Sequence, residues 1–211
     1  MRSINLKKHF RLLVGAPVLA VLIFAACFSG FLAPADPFEI DTKNILKGPS
    51  RQHPFGTDQI GRDILSRVIY GTQVSLSVAF MAAMVSLIIG VAYGLVSGFF
   101  GGTVDNIMMR FVDVLYAMPF IFFVILLMVA FERNFLLIFV AIGAINWLDM
   151  ARIVRGQTLA LRGREFVQAA EVIGASRRRI IFRHILPNTV SIIVTYIPFS
   201  ISGGIVALTS L

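Results

Sequence analysis

The sequence predicts an all-α integral membrane protein, and three observations predict it. Of 211 residues, 57% are hydrophobic and only 14% charged, with a mean hydropathy of +0.85. A soluble domain carries about 45–50% apolar and about 25% charged residues. The apolar residues come in blocks rather than in alternation, and the cationic residues are confined to the gaps between blocks. A soluble enzyme, a secreted disulfide scaffold and a disordered chain all fit poorly. The single cysteine, Cys27, excludes an intrachain disulfide, and no cysteine–histidine spacing marks a zinc site.

A helix needs about 20 apolar residues to cross a hydrocarbon core about 30 Å thick. Charge is absent from Leu12 to Ala35, Val68 to Val104, Val114 to Phe131, Asn134 to Leu148 and, with His184 neutral, His184 to Leu211. These runs predict five transmembrane helices, at 12–32, 74–100, 114–131, 135–150 and 189–211. Between them lie an N-terminal segment at 1–11, a longer segment at 33–73, short ones at 101–113 and 132–134, and a loop at 151–188. The fourth run is short for a full crossing and extends to the interface or is held by its neighbours.

Orientation follows from lysine and arginine placement. With the N-terminus cytoplasmic, thirteen positive residues lie inside and six outside, and the outer segment balances its positives with Asp36, Glu39, Asp41, Asp58 and Asp63. The formal net charge of +8 thus reads as retention on the cytoplasmic side rather than nucleic-acid binding. The first block also has features of a signal peptide, a basic start and small residues near Cys27. Phe24 is awkward three residues before a lipidated cysteine, and more membrane follows, so an uncleaved span with Cys27 as a packing residue is the better fit.

Within the second span, Gly90, Gly94 and Gly98 form a small-residue stripe at intervals of four. It allows close approach of another helix, from this chain or from another subunit. In the fifth span Pro198 removes a backbone donor, and Ser200, Ser202, Gly203 and Gly204 follow within two turns. A packed kink and a path-lining segment both fit, since a broken helix in lipid needs neighbours or water for its freed carbonyl. The outer segment turns helical near His53–Asp63, with Thr57 as N-cap, Asp58 in the first turn, and Asp63 paired with Arg67 at i, i+4.

The stretch from Asp149 to Asn188 holds eight arginines against Asp149, Glu165 and Glu171. Phe166, Ala169, Ala170 and Ile173 share a helical face. Gly174 breaks that helix, Ser176 caps the next, and Ile180, Ile181 and Ile185 continue it to Pro187. This is a helix–turn–helix on the inner surface, open either to a docking partner or to adhesion on an anionic bilayer. The chain lacks a phosphate-cradling Gly-x-x-x-x-Gly-Lys motif, and it has no His-Glu-x-x-His and no Gly-x-Ser-x-Gly. No catalytic or metal-ligating constellation is predicted, and ionisable residues within the spans are scarce, against a proton relay. A pump built on this chain takes its energy from a partner.

The run Arg164-Glu-Phe-Val-Gln-Ala-Ala-Glu-Val-Ile-Gly-Ala-Ser176, continuing to Arg183-His-Ile-Leu-Pro-Asn188, resembles the signature loop of binding-protein-dependent ABC importer permeases. Ala169, Ala170, Gly174, Leu186 and Pro187 match, whereas Gln168 stands where glutamate is usual and His184 where isoleucine is usual. His53–Gly71 and Trp147–Thr158 are similar to segments of the oligopeptide/dipeptide "C"-type permeases, and the end from Pro198 also resembles microcin-type peptide permeases.

The resemblance implies a multi-pass subunit of the bacterial cytoplasmic membrane that translocates peptides by alternating access. Implied partners are a homologous second permease, two cytoplasmic ATPases that use ATP and magnesium, an extracytoplasmic solute-binding protein and a peptide substrate. This chain itself would bind no cofactor and catalyse nothing. The ATPase-coupling residues would be Glu165, Phe166, Gln168, Ala169, Ala170, Gly174, Ala175, Leu186 and Pro187. Permeases for nickel or another small solute share the motifs. Members of this type have six spans, so a chain stopping at Leu211 is expected to be shortened, and a remnant that binds partners without transporting is a further reading. Substrate-contacting side chains are not identifiable from the sequence.

Overall fold

The computed structural model describes residues 6–119, 122, 125, 126, 129 and 135–209. Among these residues the regular secondary structure is all helical, apart from one isolated bridge between Thr57 and Asp63. The helices are α1 (Leu6–Cys27), α2 (Ser29–Leu32), α3 (Ile64–Phe100), α4 (Gly102–Ala117), α5 (Phe135–Arg162), α6 (Glu165–Val172), α7 (Arg177–Ile180) and α8 (Leu186–Thr209). A 3-10 turn spans Thr42–Asn44, and a π turn, Ile181–Ile185, joins α7 to α8. Among the described residues two stretches are long and apolar enough to cross a membrane, the 37 residues of Ile64–Phe100 and the 30 of Arg177–Val206. The expected outer turn at 132–134 and eight of the eighteen residues of the 114–131 span lie outside the described residues.

The chain divides into two compact units, residues 1–77 and 78–211. In the first, the segment after α2 is irregular but closely hydrogen-bonded. The Asp41 carboxylate accepts from the Lys43 N–H at 2.9 Å and from Asn44 Nδ2 at 2.6 Å, closing the 3-10 turn. Thr57 Oγ1 accepts from the Lys47 N–H at 2.9 Å and donates to the Asn44 carbonyl. Gly61 has φ +82°, and a Cβ there would collide with the Asp41 carbonyl, so the turn needs glycine.

Thr57 is therefore not a helix cap: its hydroxyl ties two loop strands, and α3 begins only at Ile64. The cap is Asp63, whose Oδ2 accepts from the N–H and hydroxyl of Ser66, both at 2.7 Å. Nor do Asp63 and Arg67 pair. The buried Asp63 carboxylate faces His53 Nδ1 at 3.1 Å, while Arg67 Nη1 reaches Asp58 at 2.5 Å beside Arg62 Nε at 2.8 Å. An aspartate at an N-cap is turned back onto its own first turn, which removes it from reach of the residue four positions on.

In the second unit, α3 and α5 run parallel, and the glycine stripe is the reason they approach so closely. A Cβ at Gly90 would lie 2.8 Å from the Trp147 carbonyl, one at Gly94 2.5 Å from the Ala151 carbonyl, and one at Gly98 2.7 Å from the Arg155 carbonyl. α8 runs antiparallel to α3, with Gly204 against Ala79 at one end and Ile193 in one cluster with Leu95 toward the other. α4 runs antiparallel to α5 along a series of polar contacts. Arg155 holds Asp105, Arg152 holds Asp113 at 2.8 Å, and the Tyr116 hydroxyl donates to Asp149 at 2.8 Å.

Helix α5 continues to Arg162, twelve residues beyond the edge expected at 150. The arginines that made 151–162 look like loop are side chains of this helix, two of them paired with α4. Asp105 is the most enclosed acid of that series. Arg155 binds it with Nε at 2.5 Å and Nη2 at 2.6 Å, and the buried Ser97 hydroxyl adds a bond at 2.5 Å. The Arg155 guanidinium holds the Asp105 carboxyl below the usual range, against the upward push of burial, and Ser97 adds to the lowering.

Candidate functional site

After α5 the chain passes through Gly163 and the extended Arg164 into α6, whose first N–H bonds run from Val167 and Gln168 to the Arg164 carbonyl at 3.0 and 3.1 Å. Gln168 Nε2 donates to the Gly163 carbonyl at 3.3 Å. A carboxylate could not make that bond, so the departure from glutamate has a local use here. Gly174, two residues past the end of α6, has φ +79°. The Gly174 N–H bonds the Glu171 carbonyl and the Ala175 N–H the Ala170 carbonyl, both at 3.0 Å. This is a Schellman closure, which needs a left-handed residue at the position Gly174 occupies. Ser176 then caps α7, its Oγ accepting from the Arg179 N–H at 3.4 Å.

The expected apolar face of α6 is divided by the fold. Val167 and Ala170 are buried in a cluster with Leu95, Phe99, Ile180 and Ile185. Phe166, Ala169 and Ile173 face outward with Glu165 and Gln168. Val172 and Ile173 are 86% and 83% exposed at the tip. Of the nine residues expected to couple, Ala170 is sealed against its own chain, Ala175 and Leu186 are half-buried, and the other six are exposed. The π turn is what delivers Leu186 and Pro187. Proline has no N–H to continue the α-helical ladder and its ring crowds the carbonyl four residues back, and the Leu186 N–H bonds the Ile181 carbonyl five residues earlier.

The surface around α6 is cationic. Among the described residues Arg162, Arg164, Arg177, Arg178, Arg179 and Arg183 have no carboxylate within ion-pair distance. Among the described residues no group of histidine, cysteine and acidic side chains could hold a metal. In α8 the helix continues through Pro198, and the Ser202 hydroxyl donates to the Pro198 carbonyl at 2.9 Å. Ser200 Oγ is buried without a hydrogen-bond partner, as are Ser86 Oγ and Asn146 Nδ2, while Gly203 is exposed. Sequence reasoning missed the Asp105–Arg155–Ser97 cluster. Its partners are 50 positions apart, and no local pattern announces them.

Among the described residues the chain is helical and apolar, with two stretches long enough to cross a bilayer, which fits a membrane component. The chain belongs to the family of binding-protein-dependent transport system inner membrane components, whose model matches residues 86–211. It is 44% identical over 188 residues to the oligopeptide transport system permease protein OppC of Haemophilus influenzae, covering 88% of this chain and 60% of that protein. It is 54% identical over 183 residues to OppC of Salmonella typhimurium, covering 84% and 61%. With the dipeptide transport system permease protein DppC of Bacillus subtilis it shares 40% identity over 203 residues, covering 96% and 63%. The chain thus spans about 60% of the length of these relatives.

Proposed function

We propose that this chain is the transmembrane permease subunit of an ATP-driven importer of oligopeptides or dipeptides. The observation that carries the reading is its similarity, across most of its length, to permeases named for those substrates. In this reading it crosses the cytoplasmic membrane five times with its N-terminus inside. The alternating directions of α3, α4, α5 and α8 are what that threading requires. A homologous permease completes the path, a solute-binding protein delivers peptide from outside, and two ATPases hydrolyse ATP with magnesium on the inside.

The docking element is α6, and its working face is Phe166, Gln168, Ala169, Val172 and Ile173. Val172 and Ile173, 86% and 83% exposed side by side at the helix tip, offer apolar area for a partner to cover. Gly174 fixes the angle of that tip, and the buried Val167 and Ala170 join it rigidly to α3 and α8. Closure of the ATPases would then move α6 and the spans as one body. The segment from Pro198 to Gly203, with its orphaned Ser200 hydroxyl, is the part of α8 best suited to line a polar path.

The test is a crosslink. In a Cys27→Ser background, a single cysteine at the exposed Ala169 is crosslinked in native membranes containing the partner subunits, and the products are identified by mass spectrometry. An ATPase subunit in the product, with ATP-dependent peptide uptake, is the expected result. A cysteine reactive from inside that yields no ATPase adduct would mean that α6 does not dock. Uptake of nickel in place of peptide would shift the substrate class while leaving the docking role standing.

A further inference from the structure

Away from the outward face of α6, two clefts in residues 78–211 follow one another along the same helices. Between α3 and the stretch from the π turn into α8 runs an apolar groove of about 500 Å³, lined by Leu87, Val91, Leu95, Ile181, Leu186 and Val190 among others. Beyond it, where α3 and α5 end, lies a cleft of about 390 Å³ lined by Phe99, Phe100, Arg162, Glu171, Arg177 and Ile180 among others. α3 contributes Leu87–Val96 to the groove and Phe99 and Phe100 to the cleft. The returning chain contributes Arg177 and Ile180 to the cleft and Ile181–Ile193 to the groove. The surface therefore changes from apolar to cationic within one turn of α3.

We propose that groove and cleft together form a phospholipid site, with an acyl chain along the groove and the phosphate between Arg162 and Arg177. The charge fits. Neither arginine has a carboxylate partner among the described residues. Arg162 lies 5.9 Å from the Phe99 ring centroid and Arg177 5.7 Å from that of Phe100. Stacking orients a guanidinium while leaving its edge free, and that edge matches phosphate geometry. Arg162 spends one N–H on the Phe100 carbonyl at 3.3 Å, which fixes it further.

Glu171 is the one carboxylate lining the cleft among the described residues. It disfavours a bare polyanion and would accept from a headgroup hydroxyl or ammonium. The length fits too: Leu87 to Val96 spans about 14 Å at 1.5 Å per residue, close to the roughly 15 Å half-thickness of a hydrocarbon core. The π turn supplies part of the wall through Ile181 and Phe182. A helix from another subunit would account for the groove and not the arginines. An ATPase carboxylate would account for the arginines and not the groove. The proposal needs only a membrane-embedded chain, so it stands or falls apart from the importer reading.

The test uses the full chain, alone and assembled with its partner subunits, in vesicles of phosphatidylethanolamine and phosphatidylglycerol. The vesicles contain a phosphatidylglycerol bearing a photoreactive group on its acyl chain. Adducts are mapped by mass spectrometry, with the exposed Val18 and Val21 of α1 as a reference for bulk lipid. Adducts concentrated on Val91, Ile181 and Val190 in both preparations are expected. They should fall several-fold in Arg162→Gln/Arg177→Gln, persist in Arg162→Lys/Arg177→Lys, and leave the α1 adducts unchanged. The lysine pair keeps the charge and separates loss of phosphate binding from loss of folding. Adducts spread evenly over α1 and the groove, indifferent to the arginines, would overturn the proposal in favour of bulk lipid alone. Groove adducts that vanish on assembly would overturn it in favour of a protein interface.

Discussion

Gly174 and Asp63 show how much a single residue decides. Gly174 has open space where a Cβ would go, so the cost of replacing it is conformational and not steric. A left-handed L-residue costs roughly 1–2 kcal/mol. Gly174→Ala is expected to lose about that much, and Gly174→Asn less because asparagine tolerates the region. Thermal melts of the purified variants check the order. Asp63 is pushed up by burial but held below its usual pKa by the Ser66 N–H and hydroxyl and by His53. Its carboxylate therefore stabilises the fold above the unfolded value, about 3.9, and that contribution fades as pH falls through the lower folded one. Acid titration of stability should lose this component in Asp63→Asn. The pairing was not legible because a charged i, i+4 spacing was present and the capping role, set by where α3 starts, overrode it.

Among the elements, α3 and α5 depend on the glycine stripe and α4 and α5 on ion pairs. Gly94→Leu places a side chain where the Ala151 carbonyl and Val154 already stand. It should destabilise by at least the 1–3 kcal/mol typical of overpacking, visible as a lower melting temperature. Arg155→Gln leaves a buried Asp105 without its countercharge, a change that costs about 3–5 kcal/mol where such pairs are broken. Arg155→Gln combined with Asp105→Asn should recover much of the loss, because no charge then remains uncompensated. A double-mutant cycle on melting temperatures measures the difference. The stripe was readable from spacing alone, but its partner was not: nothing in Gly90, Gly94 and Gly98 distinguishes a helix of the same chain from another subunit's. That α5 continues past the span expected to end at 150 was not legible, for the opposite reason. Arg152 and Arg155 resemble loop charges until the α4 acids that neutralise them are in view.

At the scale of the whole molecule, the apolar blocks made the helical class and membrane setting legible, because lipid leaves no other local structure open. The bend at Gly174 and the cap at Ser176 were legible as well, since both are local signals. Which side of α6 is outward was not, because Phe99, Ile180 and Ile185 decide it from elsewhere in the chain. Consequently Ala169→Cys and Ile173→Cys should label with a water-soluble maleimide far faster than Ala170→Cys in the isolated chain. Comparable rates at all three would mean that α6 is detached from the core.

The parallel course of α3 and α5 has an electrical consequence. Both helices end at one place, at Phe100 and Arg162, where their last carbonyls leave roughly half an elementary negative charge each. Arg162, bonded to the Phe100 carbonyl, sits on that negative pole. The field projected by the arginine-rich surface is thus smaller than its formal charges imply. Unwinding the last turn of either helix would make the surface more positive without any change in sequence.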